Sequence, residues 1–319
     1  MLRPRGIVCI NSIALMVLGA GGTSGQDYPS KAVRIVTSPA GGGNDFIARI
    51  LAEKLSGPLG QPVVVDNRPT LITAEIVSKA PPDGYTLLLA GSTVMQGPLL
   101  RKVPYDPVKD FAPISIVDIS PNVLVVHPSL PVKSVKELIA LAKAKPGALN
   151  YASSGAGGTL HLAAELFKSM AGVNILRINY KGSGQAMTSV LSGETQLAFG
   201  TAAAAAPHAK SGKVTAVAIT SLKPSALVPG LPTVAESGLP GYEVITLDSF
   251  LAPAGTPAAI ITRLNQELAR VLDQADVKEK FLGAGSEAAP SSPEELGARL
   301  KSDLAKWGKV IKDAGITAE

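Results

Sequence analysis

The chain has 319 residues, a formal net charge of +5, 46% hydrophobic residues and only 4% aromatic ones. Its basic residues are scattered rather than clustered and its aromatics are few, which excludes a nucleic-acid footprint and argues against base stacking or an aromatic cage. The core must be built from Ala, Val, Leu and Ile, the composition of α/β packing.

Arg3 and Arg5 precede an apolar run over residues 7–20 and small residues through Gly25, the three-part pattern of a secretory signal peptide. Residues 1–25 are therefore expected to be cleaved; the run is too short for an easy membrane span, and loss of Arg3 and Arg5 lowers the charge only to +3. Cys9, the only cysteine, leaves with this segment, so the mature fold relies on packing rather than disulfides. What remains suffices for two domains of about 150 residues.

Val33, Ile35 and Val36 are β-branched, while Phe46, Ile47, Ile50, Leu51 and Leu55 recur at helical spacing, so the period changes across Ala40, Gly41, Gly42 and Gly43. This is a strand, a glycine elbow and a helix starting near Asp45. The first amides of such a helix lack intrahelical acceptors, and glycines let a ligand approach them, which suits an oxyanion. No lysine follows in P-loop order, so the elbow is not a nucleotide site. It can also be read as a tight turn with Asp45 as cap. Residues 61–67 read as a second strand, 74–79 as a helix stopped by Pro81 and Pro82, and 85–90 as a third strand ending at Gly91 and Ser92. This βαβ order predicts a parallel sheet with ligands at the carboxyl ends of its strands, where Ser92 is a candidate donor or an ST-turn residue.

Residues 98–113 read as proline-rich and irregular, and 123–126 as a short strand crossing into a second domain. Ser134 and Glu137 form a capping box for a helix over residues 135–144. The pattern then restarts with strand 150–153, a glycine elbow at 154–159 containing Gly157, and helix 160–171. Ser153, Ser154 and Thr159 supply hydroxyls there, and His161 in the first turn should stay neutral at the positive end of the helix dipole. Alternating elements follow: strands 176–179, 196–199 and 214–220, helices 185–191 and 203–210, and the loop residue Thr201. A strand over 242–251 carrying Asp248 leads back, and helices 257–272 and 292–314 are expected to pack on the first domain. Neither Gly155-Ala156-Gly157 nor Gly182-Ser183-Gly184 completes a dinucleotide fingerprint, and no zinc spacing occurs, so no cofactor or metal is expected.

Several blocks recur in one order: Ala40 to Asp45 with Ala48-Arg49, Gly60-Gln61-Pro62, Asn67-Arg68-Pro69, Pro82-Asp83-Gly84-Tyr85, Pro104-Tyr105-Asp106-Pro107, Tyr151 to Gly155 with His161-Leu162, Tyr180-Lys181-Gly182, Leu231-Pro232-Thr233 and Leu251-Ala252-Pro253-Ala254-Gly255-Thr256-Pro257. With these, residues 28–315 closely resemble the extracytoplasmic solute-binding proteins of tripartite tricarboxylate transporters, the TctC or Bug family. The resemblance implies a two-lobed α/β periplasmic binding protein, lobe 1 from residues 26–122 and 246–319 and lobe 2 from 123–245. It further implies a monomer that closes on a small carboxylate and delivers it to membrane permease subunits. The candidate contacts are Ala40, Gly41, Gly42, Gly43, Asp45, Ser92, Ser153, Ser154, Gly157, Thr159, His161, Thr201 and Asp248. Two departures fall near the cleft: the loop after Pro69 is shorter than in the family by about three residues, and Leu247 with Asp248 stands where the family usually has Trp. The same fold could instead serve a membrane sensor. A secreted hydrolase is the remaining alternative, against which stands the scatter of His127, His161 and His208 without a nucleophile motif.

Overall fold

The structure is a computed structural model that describes residues 28–317; the expected signal peptide lies outside the described residues. In the first part of the chain β1 (Val33–Thr37), β2 (Val63–Asn67) and β3 (Thr86–Gly91) alternate with α1 (Gly43–Leu59) and α2 (Thr70–Ser78). The two short helices α3 (Ser92–Met95) and α4 (Gly97–Leu100) then lead to β4 (Phe111–Val126). The middle of the chain carries α5 (Val135–Ala144), β5 (Asn150–Ser154), α6 (Thr159–Ala171), β6 (Leu176–Tyr180), α7 (Ser183–Leu191), β7 (Leu197–Thr201), α8 (Ala202–Lys210) and β8 (Thr215–Ile219). The return consists of β9 (Ile245–Pro253), α9 (Ala258–Leu272), α10 (Ala275–Gly283), β10 (Glu287–Ala288) and α11 (Pro293–Asp313).

β1 pairs in parallel with β2 and β3, and β3 continues antiparallel to β9, which in turn pairs with β4 from Phe111 to Pro121. From Asn122 to Val126 the same strand takes up β7 and β8 instead, and β7, β5 and β6 run parallel beyond it. β4 is thus shared by two ladders. The sequence suggests only a short strand at its end because Pro113 and Pro121 read as breakers. In the structure Pro113 lies at a register shift and Pro121 at the handover from β9 to β7, positions where a residue without an N–H is tolerated.

Strand alternation sorts the core. Val33, Ile35, Leu87, Leu89 and Phe250 pack with Ile47 and Leu51 of α1 and Leu264 and Leu268 of α9, while Val36, Leu88 and Leu251 pack on the opposite side with Ala74, Leu296 and Leu300. In the second ladder Leu124, Tyr151 and Phe199 meet α5 and α6, and Val123, Val125 and Ala198 meet α7 and α8. The C-terminal helix departs from the expectation that it rests on the first part alone. Leu296 and Leu300 join that core, but Trp307, Val310 and Ile311 are buried with Leu162 and Phe167 of α6. Its start agrees with the sequence: Ser292 and Glu295 close a reciprocal capping box.

Candidate functional site

The carboxyl ends of β1 and β3 open on one edge, where the crossing strand β9 passes. A cavity of about 230 Å³ lies there, lined by Ser38, Asn44, Thr70, Thr73, Leu89, Ala90, Gly91, Ser92, Val94, Thr246 and Asp248. This is the strand-end position at which α/β folds bind ligands.

The first elbow borders this cavity through Ser38 and Asn44, while Ala40, Gly41, Gly42 and Gly43 are exposed to solvent. Gly41 takes a φ of 85°, which only glycine adopts without strain. The first backbone bond of α1 runs from the Phe46 N–H to the Gly42 carbonyl at 3.1 Å, so the preceding amides have no acceptor within their own helix. Asp45 is buried and turned back on the loop. Its Oδ2 accepts from the Gly41 N–H at 2.9 Å and from Arg49 Nε at 3.1 Å, and its Oδ1 accepts from Asn67 Nδ2 at 2.9 Å. The Arg49 hydrogen bond, followed by that of Gly41, holds the carboxyl down at about 2. Asp45 therefore clamps the elbow, and the Gly41 amide is committed to it.

The second elbow is built on the same plan. The first backbone bond of α6 is donated by Leu162 to Gly158 O at 2.9 Å, leaving the amides of Thr159, Leu160 and His161 open. Gly157 has a φ of 71°, and a Cβ there would come within 2.5 Å of Leu100 in α4, so this glycine makes a close approach between chain segments rather than baring a backbone surface. His161 Nδ1 accepts from the Gly157 N–H at 3.1 Å, which fixes the neutral tautomer with the proton on Nε2, 3.9 Å from Glu165 Oε1. Burial, and then the positive charge of Arg177, push the imidazole down to about 4. The neutral form expected from the sequence is present, but its free nitrogen is spent on the elbow.

Ser153 is fully buried, and its Oγ accepts from Arg177 Nε at 2.7 Å. The hydroxyl expected for a ligand thus orients a guanidinium beside the second elbow, a cation that the sequence reading did not single out. Ser154 and Thr159 are half-buried, and Thr159 Oγ1 lies 3.4 Å from Thr246 Oγ1 on β9. That contact joins the second elbow to the wall of the cavity. Ser92 Oγ donates to Leu247 O at 3.3 Å and accepts from the Leu247 N–H at 3.0 Å, so it pins α3 to β9. Thr201 is exposed and caps α8 by accepting from the Ala204 N–H at 3.3 Å.

Asp248 reaches the cavity and stands opposite Asp118 across β4 and β9. Both are buried. Burial raises the Asp248 carboxyl to about 6 and, with the Asp248 charge as the next cause, raises Asp118 well above the usual carboxylate range. Asp118, Asn44 and Thr246 were absent from the sequence-derived set. For Asp118 a signal existed: it is the one charged residue in the run Ile114 to Ile119. Among the described residues no group of three or more His, Cys, Asp or Glu side chains is arranged to hold a metal ion.

The model of the tripartite tricarboxylate transporter family receptor matches residues 47–316. Protein BugT of Bordetella pertussis is 35% identical over 303 residues, with 93% of each chain covered. Among solved structures, Rpa4515 of R. palustris with adipate is 37% identical, with 91% of this chain and 99% of that one covered and a TM-score of 0.71. MatC from Rhodopseudomonas palustris with bound malate is 28% identical, with coverage of 89% and 100% and a TM-score of 0.67. The chain belongs to the tripartite tricarboxylate transporter receptor family, whose members are non-enzymatic solute-binding proteins, and it has the mixed α/β periplasmic binding-protein fold.

Proposed function

We propose that this chain captures a small carboxylate between two lobes and presents it to the membrane subunits of a tripartite tricarboxylate transporter. In this reading the lobes comprise residues 26–122 with 246–319 and residues 123–245, joined by crossings near Val123 in β4 and over residues 244–251 at β9. The protein acts as a periplasmic monomer once residues 1–25 have been removed. The observation that carries this reading is the joining of two open helix starts at one cavity: Asn44 of α1 lines it, and Thr159 of α6 touches its Thr246 wall. Each start offers unpaired N–H donors and a partial positive charge to an anion. Arg177, held by Ser153, adds a full charge on the α6 side. Adipate in Rpa4515 and malate in MatC support the ligand class. Ser154, Thr159 and the first amides of α1 and α6 are the direct contacts in this proposal, with Asp45, His161, Ser153 and Ser92 holding them in place.

Titration calorimetry of the mature protein against a panel of aliphatic and aromatic carboxylates tests it. At least one should bind, and Thr159→Val, which keeps the shape and removes a hydroxyl, should weaken that ligand by about 1 kcal/mol. No binding across the panel, or unchanged affinity in both Thr159→Val and Ser154→Ala, would refute it.

A further inference from the structure

Asp118 and Asp248 form a buried carboxyl pair that the fold does not neutralise. They occupy facing positions in the β4/β9 ladder, 4% and 7% exposed, and neither makes a salt bridge within the described residues. The groups around them offer no cation. From α1 comes Asn44, from β3 the bare backbone of Gly91, and from the loop after α10 Ser286. Asp45, one residue from Asn44, is already matched by Arg49. The absence of Cβ at 91 is what admits the acid: a methyl there would lie 2.9 Å from Asp248 Oδ1 and 3.7 Å from Asn44 Nδ2. Asp118 Oδ1 and Asn44 Nδ2 are both buried without a hydrogen-bond partner.

An uncompensated buried charge costs several kcal/mol, so such groups persist where a partner arrives from outside. The cavity gives such a partner access: Asp248 and Asn44 line it, and its lining includes no Lys, Arg or His. The other side of the cleft has the opposite character, with Arg177 fixed beside the α6 elbow. Thr246 and Asp248 lie on the same face of β9, about 7 Å apart along the strand. We infer that Asp248, backed by Asp118, is a specificity-determining residue that binds the ammonium group of an aminocarboxylate, whose carboxylate lies toward Thr159 and Arg177. This rests on the carboxylate-receptor reading and narrows it. A ligand hydroxyl would satisfy one lone pair but leave the charge unmatched, whereas an ammonium neutralises it. Asp118 retains the proton of the pair and leaves Asp248 to carry the negative charge, and the unpartnered Asn44 amide gives the ligand carboxylate or the Asp248 oxygen a further donor.

The test is calorimetry at pH 7.5 on the mature protein with matched probes, glutamate against glutarate and 2-aminoadipate against adipate. The amino member of at least one pair should bind about tenfold tighter or more, and Asp248→Asn should reduce that ratio to near one while the plain acid binds as well or better. Asp118→Asn, which leaves the charge on Asp248, should preserve the preference. If the plain acids bind the wild-type protein as tightly as their amino counterparts, the inference is overturned and the carboxylate-receptor reading stands. If no member of either pair and no other carboxylate binds, that reading falls and the inference with it. A wild-type ratio near one overturns the inference whether or not the variants fold, and a preference that persists undiminished in Asp248→Asn overturns the assignment to Asp248.

Discussion

Acidification should unlock the second elbow through His161. The imidazole is held from its ordinary 6.5 down to about 4, by burial first and by Arg177 second, with Glu165 acting in the opposite direction. Protonation would remove the acceptor that takes the Gly157 N–H and place a cation beside Arg177 and Lys168. Because the folded value lies below the unfolded one, the unfolded chain binds the proton more readily, and this contribution to stability is complete above about 6.5 and is lost as pH falls toward 4. A shift of that size at about 1.4 kcal/mol per unit, evaluated at pH 4, amounts to about 3 kcal/mol. Denaturant unfolding at a series of pH values, run in parallel on wild type and His161→Gln, isolates it. Glutamine keeps a neutral acceptor and does not titrate, so the stability difference between the two proteins should move by about 3 kcal/mol in favour of the variant between pH 7 and pH 4. A difference that stays constant over that range would refute the assignment of a buried neutral imidazole.

The acid pair has the opposite sign. Asp248 is raised to about 6, so the folded state loses stability as pH rises from 3.8 through that value, and Asp248→Asn should stabilise the unliganded protein by roughly 1–3 kcal/mol at pH 8, read from chemical denaturation. Gly157→Ala meets both a φ of 71° and Leu100 at 2.5 Å; it should destabilise by about 2 kcal/mol, with Leu100→Ala in the same chain recovering the packing part but not the backbone part. Arg49→Ala frees Asp45 from its strongest partner, and a weaker carboxylate affinity with little loss of melting temperature is expected if Asp45 acts by holding the elbow. Dialysis against a chelator should leave carboxylate affinity unchanged, which calorimetry before and after would establish.

Much of the fold was legible because local chemistry and tertiary structure agree. The 135–144 helix begins where Ser134 caps it, and both glycine elbows lie between a strand and a helix as the change of period indicates. β4 was not legible, since Pro113 is tolerated at a register shift and Pro121 where the partner changes, facts about the sheet rather than the segment. α10 was missed for a related reason: only Val277 and Phe281 of its residues are buried, too few for a clear apolar period. At the site, the residue types were right but their duties were not. Sequence shows that Ser153 and Asp45 stand at the elbows; it does not show that Arg177 and Arg49 reach them from other positions and convert both into supports. Asp118 passed unnoticed because its meaning lies in Asp248, distant along the chain and adjacent across the ladder.

A crystal structure of the mature protein with the tightest carboxylate from the calorimetric panel tests the central claim most directly. The account predicts the carboxylate oxygens within hydrogen-bonding distance of the first-turn amides of α6 and the Thr159 hydroxyl, in the cavity bounded by Asn44, Thr246 and Asp248. A ligand seated instead in the cavity between α6 and α11, against Glu165, Lys168 and Asp313, would contradict it.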